Sequence, residues 1–210
     1  MKPLTLKIPK PLLKIKDKTI LDHIFDSLPK KIDRVILVVG YLKEKIQKHV
    51  GNFYKGRPVD YVVQENLGGT ADAINLCRSF FKDGERFMVL YGDDLQFRDE
   101  LEKCLSYKYS WLCFPVPKPE SSGIADIRVD GTISEVVEKP KNPKSNLAAA
   151  GAIVLDTEIF DYAPESHPNG ERYLSSAINQ FLKDHQVFAV IGRERPSLTS
   201  SSDLNNSYTT

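Results

Sequence analysis

The feature that most constrains the fold is a run of five consecutive aliphatic residues, Val35–Val39, bounded by Arg34 and Gly40. A strand covered on both faces has this composition, whereas a strand with one wet face alternates apolar and polar residues. Segments with helical apolar spacing lie on either side, at residues 20–28 and 42–50. This order predicts an α/β fold with a mostly parallel, doubly wound central sheet and helices on both faces.

The other predicted elements continue this alternation and change in character after about residue 108. Strands are predicted at residues 59–63, 87–91, 110–116, 124–129, 133–138, 151–155 and 187–191, and helices at 72–81, 157–162 and 171–183. Asp17 is the expected cap of the first helix, and the turn Asp130-Gly131 predicts a β-hairpin. We therefore expect one domain over residues 1–195, with parts at about 1–108 and 109–195, and a polar tail at 196–210.

Composition excludes several classes of protein. The chain of 210 residues carries 29 basic and 28 acidic side chains, so neither a nucleic-acid surface nor an acidic tail is indicated. Cys77, Cys104 and Cys113 lie far apart in apolar stretches, which predicts buried, reduced thiols and a cytoplasmic location. No apolar run is long enough to predict a membrane span. The oligomeric state stays open, a homo-oligomer included.

The first residues read as a stiff loop because Pro3, Pro9 and Pro11 each fix φ and remove a backbone donor. Residues 2–12 are therefore not expected to form regular helix or central strand. Lys10 lies between two of these prolines, where a firmly held cation suits a phosphate at a fixed place. A basic, proline-rich arm without a ligand is the alternative.

A glycine-containing loop follows the strand predicted at residues 59–63, in the order Gln64-Glu65-Asn66-Leu67-Gly68-Gly69-Thr70. Two adjacent glycines let another group approach the backbone closely, and the N-terminus of the next helix offers free N–H groups. Open α/β sheets bind ligands at this end of their strands. An ordinary loop with Thr70 as helix N-cap explains the same residues.

An apolar strand also leads directly into Gly92-Asp93-Asp94. A carboxylate at a strand end suits Mg²⁺, which prefers hard oxygen ligands and keeps waters and substrate phosphates in its shell. Asp93 is the preferred candidate, because Asp94 points elsewhere. Capping of a following helix is the alternative.

Two further segments, Gly123-Ile124-Ala125 and Glu138-Lys139-Pro140, flank the predicted hairpin. A hairpin alone accounts for a glycine and charged ends. After both segments comes a run of small residues, 145–151, which leads into the strand predicted at 151–155. Small side chains there would let the backbone lie close to the ring of a ligand.

Together with the opening PLTLKIPKPLLKIKDKTILDHIFDSL, these motifs resemble the sugar nucleotidyltransferases, which join a sugar 1-phosphate to a nucleoside triphosphate. The resemblance implies a Rossmann-like nucleotide-diphospho-sugar transferase fold. It also implies that Lys10 contacts phosphates, that Gln64 and Gly69 grip a uracil or thymine edge with Thr70 beside them, and that Asp93 binds Mg²⁺. Residues 1–108 would then be the nucleotide-binding part.

The same resemblance makes residues 109–195 the sugar-binding part. It implies that Gly123 lies against the sugar, that Glu138 takes sugar hydroxyls with Asn146 nearby, and that Lys139 meets the sugar phosphate. A small residue at Ala149 is shared with members that include thymidylyltransferases. The implied substrates are dTTP or UTP and a sugar 1-phosphate, glucose 1-phosphate by default, with pyrophosphate released.

The sequence departs from the family in two places. Members begin with a strand and a Gly-rich loop ahead of the position of Met1, and they place a second metal-binding aspartate where residues 197–201 carry serine. Without that strand, Val35–Val39 would lack a parallel neighbour, so a longer parent protein is expected. One alternative is a catalytically silent relative that binds a nucleotide sugar or a paired subunit and acts as a regulator, and another is a fragment without ligand.

Overall fold

The computed structural model describes Thr5 and residues 7–194, and it confirms the α/β class. The strands are β1 (Lys14–Ile15), β2 (Lys18–Thr19), β3 (Val35–Val39), β4 (Phe53–Tyr54), β5 (Arg57–Val63), β6 (Arg86–Leu90), β7 (Ser110–Pro115), β8 (Gly123–Ile127), β9 (Ile133–Glu138), β10 (Leu147–Asp156) and β11 (Phe188–Ile191). The helices are α1 (Ile20–Ser27), α2 (Lys43–Val50), α3 (Thr70–Asn75), α4 (Arg98–Leu105) and α5 (Leu174–Phe181). The predicted polar tail lies outside the described residues.

The central sheet is mixed, so the expectation of a mostly parallel sheet is wrong. β10 runs antiparallel to β6, β7 and β8, and β8 runs antiparallel to β9. Parallel pairing joins β7 to β11 and, in a separate small sheet, β3 to β5. The continuous apolar run of β10 reflects burial in the middle of the sheet, and burial alone carries no information about strand direction.

The sheet is interrupted between β3 and β6. Within the described residues β3 pairs only with β5 and β6 pairs only with β10, so each leaves one edge without a neighbouring strand. A cavity of about 430 Å³ lies between these edges, lined by both strands and by side chains of α1 and α3. We call this cavity the slot. It lies along the edge of β3 opposite β5, where the sequence led us to expect a missing parallel neighbour.

Local hydrogen bonds explain where the first two helices begin and end. Thr19 caps α1, since its Oγ1 accepts a hydrogen bond from the Asp22 amide at 3.0 Å while the Thr19 amide donates to the Asp22 carboxylate at 2.8 Å. The expected cap at Asp17 is therefore wrong. α1 ends at Ser27, just before Pro29, as predicted, and α2 ends before Gly51, whose φ is +66°.

Three predicted helices are shorter than expected. Residues 72–81 divide into α3 and a 3-10 turn, Arg78–Phe80, and residues 157–162 form only a 3-10 turn, Thr157–Asp161. The helix predicted from residue 171 begins at Leu174. α4 was not predicted, because its first turn is charged and only Leu101, Cys104 and Leu105 among its residues are apolar.

The main core lies between α5 and the large sheet and includes Trp111, Ile153, Ile178 and Phe181. The cysteines are free thiols buried in apolar surroundings, as predicted. Among the described residues, none of the helices has both the length and the apolar character needed to cross a membrane.

Candidate functional site

Lys10 and Asp93 are 83 positions apart in the chain and meet in an ion pair, with Nζ 2.7 Å from Oδ2. Lys10 begins a 3-10 turn, Lys10–Leu12, after the extended residue Pro9. Asp93 follows the end of β6. Their side chains are 29% and 47% exposed, so both remain accessible to a ligand. The structure thus places a cation and a carboxylate together beyond the carboxyl end of β6.

Gln64 and Gly69 also lie together, just beyond the end of β5. The side-chain amide of Gln64 donates to the Gly69 carbonyl at 3.2 Å, and the Gln64 backbone amide donates to the Val39 carbonyl at 2.8 Å. Gln64 lines the slot, as do Tyr91 and Gly92 next to Asp93. The predicted base-binding loop and the Lys10–Asp93 pair therefore lie at the same end of the slot.

The close approach at Gly69 is made by another part of the protein. A Cβ at this position would lie 2.3 Å from the Arg172 carbonyl oxygen, and φ is +110°. Gly69, rather than Thr70, is the N-cap residue of α3. The Thr70 Oγ1 instead accepts a hydrogen bond from the Leu174 amide at 2.9 Å, which is the first amide of α5.

Gly123 and Glu138 face each other across the β8–β9 hairpin. A Cβ on Gly123 would lie 2.8 Å from Oε2 of Glu138, so the glycine leaves room for that carboxylate. Burial raises the pKa of Glu138, and the nearby charges of Lys139 and His167 act against this rise. Lys139 is exposed with φ +46°, and its amide is fixed to the Ser122 carbonyl at 3.0 Å.

Asn146 lies farther from Gly123 and Glu138 than Ala149 does. Ala148 pairs with Ile124, and continuing this register places Asn146 level with Asp126 and Ala149 level with Gly123. Asn146 is exposed, and its carbonyl accepts from the Val116 amide at 2.9 Å. The residue of β10 nearest the Gly123 end is thus the small Ala149.

The Tyr91 phenol is influenced by charges from both the predicted metal-binding part and the predicted sugar-binding part of the site. Burial raises the pKa of its phenol most, and the charges of Asp94, Glu138 and Asp93 raise it further. Charges of the predicted metal ligand and of the predicted sugar ligand therefore both act on the phenol of the half-buried Tyr91.

One part of the site was not predicted. Residues 165–173, which we call the strap, turn back on themselves at Gly170, and Ser166 forms an antiparallel bridge with Arg172. Within the strap, the Asn169 side-chain amide donates to the Glu171 carboxylate at 3.0 Å and to the Tyr173 hydroxyl at 2.7 Å. Charges of Lys139 and His167 help to keep the pKa of Glu171 below its ordinary value, after its hydrogen bonds from Tyr173 and Asn169.

The donor set at Asp93 fits a Mg²⁺ ion that is held mainly by other ligands. The described residues contain no group of three or more His, Cys, Asp and Glu side chains that could hold a metal ion. Mg²⁺ commonly takes one or two carboxylates and completes its shell with waters and substrate phosphates. Asp93 fits as one such anchor. The serine-containing segment 197–201 lies outside the described residues.

Comparison with known proteins relates most of the chain to one family. Residues 1–195 match the family model described as nucleotidyl transferase. The bifunctional protein GlmU of Methanocaldococcus jannaschii is 35% identical over 190 residues, which cover 89% of this chain and 45% of that protein. The chain thus spans about half the length of the GlmU relatives it matches. The UTP–glucose-1-phosphate uridylyltransferase AglF of Haloferax volcanii is 30% identical over 202 residues, covering 91% of this chain and 82% of AglF.

Solved structures share the fold. A putative glucose-1-phosphate thymidylyltransferase from Bacillus anthracis, in complex with sucrose, superimposes with a TM-score of 0.76 at 28% identity, covering 93% of this chain and 82% of the other. A UDP-glucose pyrophosphorylase complexed with UDP-glucose gives a TM-score of 0.79 at 21% identity, covering 97% and 90% of the two chains.

Proposed function

Since this chain belongs to the nucleotidyl transferase family, we propose that its site serves transfer of a nucleotide from dTTP or UTP to a sugar 1-phosphate, with release of pyrophosphate. The proposal rests on one observation, the ion pair between Lys10 and Asp93, which lies beside the loop that contains Gln64 and Gly69. Glucose 1-phosphate is the proposed sugar substrate, supported by the AglF relative that is named for it.

The chemistry needs positioning and charge stabilisation rather than a covalent nucleophile. The sugar phosphate oxygen attacks the α-phosphorus in line with the departing pyrophosphate. Lys10 contacts the triphosphate and Lys139 the sugar phosphate, so the two lysines offset negative charge on either side of the reacting phosphorus. Mg²⁺, when bound at Asp93, would supply further charge stabilisation to the phosphates.

The remaining proposed roles concern recognition. The backbone of Gly69 and the amide of Gln64, with Thr70 beside them, would hold the pyrimidine edge. The Glu138 carboxylate would accept sugar hydroxyls against the flat surface left by Gly123, and Asn146 is a weaker candidate because the β10 register carries it away from Gly123.

The slot bears on activity because Tyr91 and Gly92, which line it, directly precede Asp93, the partner of Lys10. We propose that full activity belongs to a form in which a strand occupies the slot and a Gly-rich loop follows it. Backbone N–H groups of such a loop would reach the triphosphate next to Lys10, a contribution worth several kcal/mol in the transition state.

Pyrophosphate release provides the test. The 210-residue chain and a version extended by a strand and a Gly-rich loop would be assayed with Mg²⁺, glucose 1-phosphate and either UTP or dTTP. We expect release above background from the extended version and its loss in Asp93→Asn. Asp94→Asn, the same substitution at the neighbouring position, is the matched control and should retain most of the activity.

The alternative function is a catalytically silent protein that binds a nucleotide sugar, and the slot is the observation that favours it. A ligand that binds only the folded state raises thermal stability by mass action. If UDP-glucose or dTDP-glucose stabilises both versions while neither releases pyrophosphate, the binding function replaces the catalytic one. If neither ligand binds and no pyrophosphate appears, both functions are rejected.

A further inference from the structure

Arg172 joins the predicted base-binding loop to the strap through its backbone. Its amide donates to the Gly68 carbonyl at 2.7 Å, and its carbonyl accepts from the Ala71 amide at 3.0 Å. Such a pair of hydrogen bonds between distant segments fixes their distance and orientation as a strand ladder does. The absent side chain of Gly69 is what allows the two backbones to lie this close.

Two side-chain contacts reinforce the junction. The Arg172 guanidinium lies 2.8 Å from the Asp72 carboxylate, which is only 19% exposed, so this ion pair is less screened than one in open solvent. In addition, the Thr70 hydroxyl accepts a hydrogen bond from the first backbone amide of α5. The N-cap residue of α5, Tyr173, provides no side-chain cap of its own. One helix therefore starts on a side chain that lies 104 positions earlier in the chain.

The strap transmits this attachment because it is internally bonded. The His167 amide donates to the Glu171 carbonyl at 2.9 Å, and the Gly170 amide donates to the His167 carbonyl at 2.8 Å. With Asn169 bridging Glu171 and Tyr173, these bonds hold the segment as one piece. A shift at Arg172 would therefore displace Glu171 and the start of α5. In α5 the Asn179 side chain holds the backbone of Val136 in β9 by hydrogen bonds of 2.9 and 2.8 Å, two residues before Glu138.

We propose that Arg172, held by Asp72, is a positioning residue that couples the base-binding loop to the sugar-binding group at Glu138 and Lys139. The coupling rests on the proposed function of these two half-sites. Ligand held by the loop fixes the strap and the start of α5, and α5 in turn holds the strand β9 that ends at Glu138, next to Lys139. Because linkage is reciprocal, the sugar should also strengthen nucleotide binding through the same residue.

The test uses Asp72→Asn, which removes the negative charge that pairs with Arg172 but removes none of the backbone groups that hydrogen-bond to Arg172. Asp99→Asn is the matched control, because Asp99 also lies in the first turn of a helix and also pairs with an arginine, Arg193. Asp72→Glu retains the charge and should restore the behaviour of the original chain. Binding of UDP and of UDP-glucose is measured by calorimetry for each protein.

We expect Asp72→Asn to weaken UDP-glucose about tenfold while UDP changes by no more than about twofold, since residues coupled in one network typically interact by factors of this size. Asp99→Asn should change neither affinity. Equal weakening of both ligands in Asp72→Asn would overturn the proposal, because it would mark a general loss of folded structure.

Hydrogen exchange of the free protein separates this inference from the proposed function. Amides of the strap should exchange about tenfold faster in Asp72→Asn than in the original chain or in Asp99→Asn. If the original chain binds neither UDP nor UDP-glucose, the proposed function fails, and faster exchange still supports the Arg172 attachment. Unchanged exchange in the strap overturns the attachment whatever the ligands do.

Discussion

Replacement of Gly69 by alanine should be among the most damaging single-methyl changes in the chain. Gly69 has φ +110° and ψ −179°, a backbone region that is essentially restricted to glycine. The added Cβ would also meet three backbone atoms of Arg172 at 2.3, 2.7 and 2.8 Å. Backbone on both sides cannot rotate away as a flexible side chain can, so one segment must move.

The size of the effect follows from two contributions. A non-glycine residue in this region costs about 1–3 kcal/mol. Displacement of Arg172 would break its hydrogen bonds with Gly68 and Ala71, worth roughly 1 kcal/mol each. We therefore expect Gly69→Ala to lower the free energy of unfolding by about 3–5 kcal/mol, or the midpoint temperature by roughly 10 °C for a chain of this size.

Gly56→Ala provides the control, because Gly56 has φ +83° with nothing within 4 Å of an added Cβ. That change should cost only the left-handed strain of about 1–2 kcal/mol. Urea unfolding followed by circular dichroism would measure both variants. If Gly69→Ala and Gly56→Ala are destabilised equally, the close packing of Arg172 on Gly69 is refuted.

Three further predictions concern acid stability, thiol reactivity and the start of α5. Burial alone would raise the pKa of Asp22, but hydrogen bonds, led by that from the Tyr54 hydroxyl, hold it well below its ordinary value. The resulting stability is present above the unfolded pKa near 4 and is lost as pH falls further. Urea unfolding should therefore show Tyr54→Phe to be destabilised by about 2 kcal/mol at pH 7 and progressively less below pH 4, and a constant difference would contradict this. Burial raises the pKa of Cys77 to about 11 and that of Cys113 to about 12, so a thiol reagent at pH 8 should label both slowly until urea is added, and rapid labelling of the folded protein would be inconsistent with their burial. Thr70→Val should cost about 1 kcal/mol in urea unfolding by leaving the first amide of α5 without its acceptor, while Thr70→Ser should cost much less, and equal losses would rule out the hydrogen bond.

Local patterns in the sequence identified the elements that are buried on both faces. The aliphatic run Val35–Val39 forms β3 with the same bounds, and its missing neighbour was anticipated. Strand direction was not readable, because β10 is as apolar as a parallel strand. α4 escaped notice because a helix with few apolar residues gives little periodic signal.

The sequence predicted residues of the candidate site only where a short motif by itself indicated a chemical role. Lys10 and Asp93 were singled out separately, and the structure brings them into contact. The strap was not, because residues 165–170 resemble an ordinary polar surface loop and residues 171–173 were predicted to belong to a helix. Its importance comes from contacts with Gly68 and Asp72, about a hundred positions away, which no local pattern reports.

The slot has a consequence for how the molecule comes apart. With no backbone ladder joining β3 to β6 among the described residues, the small sheet is attached to the large one mainly through side chains and loops. Cooperative unfolding units tend to follow such divisions. We expect β3, β4, β5, α1 and α2 to open as one unit at a lower free energy than the large sheet, so their amides should exchange hydrogen before those of β7 and β10 under native conditions.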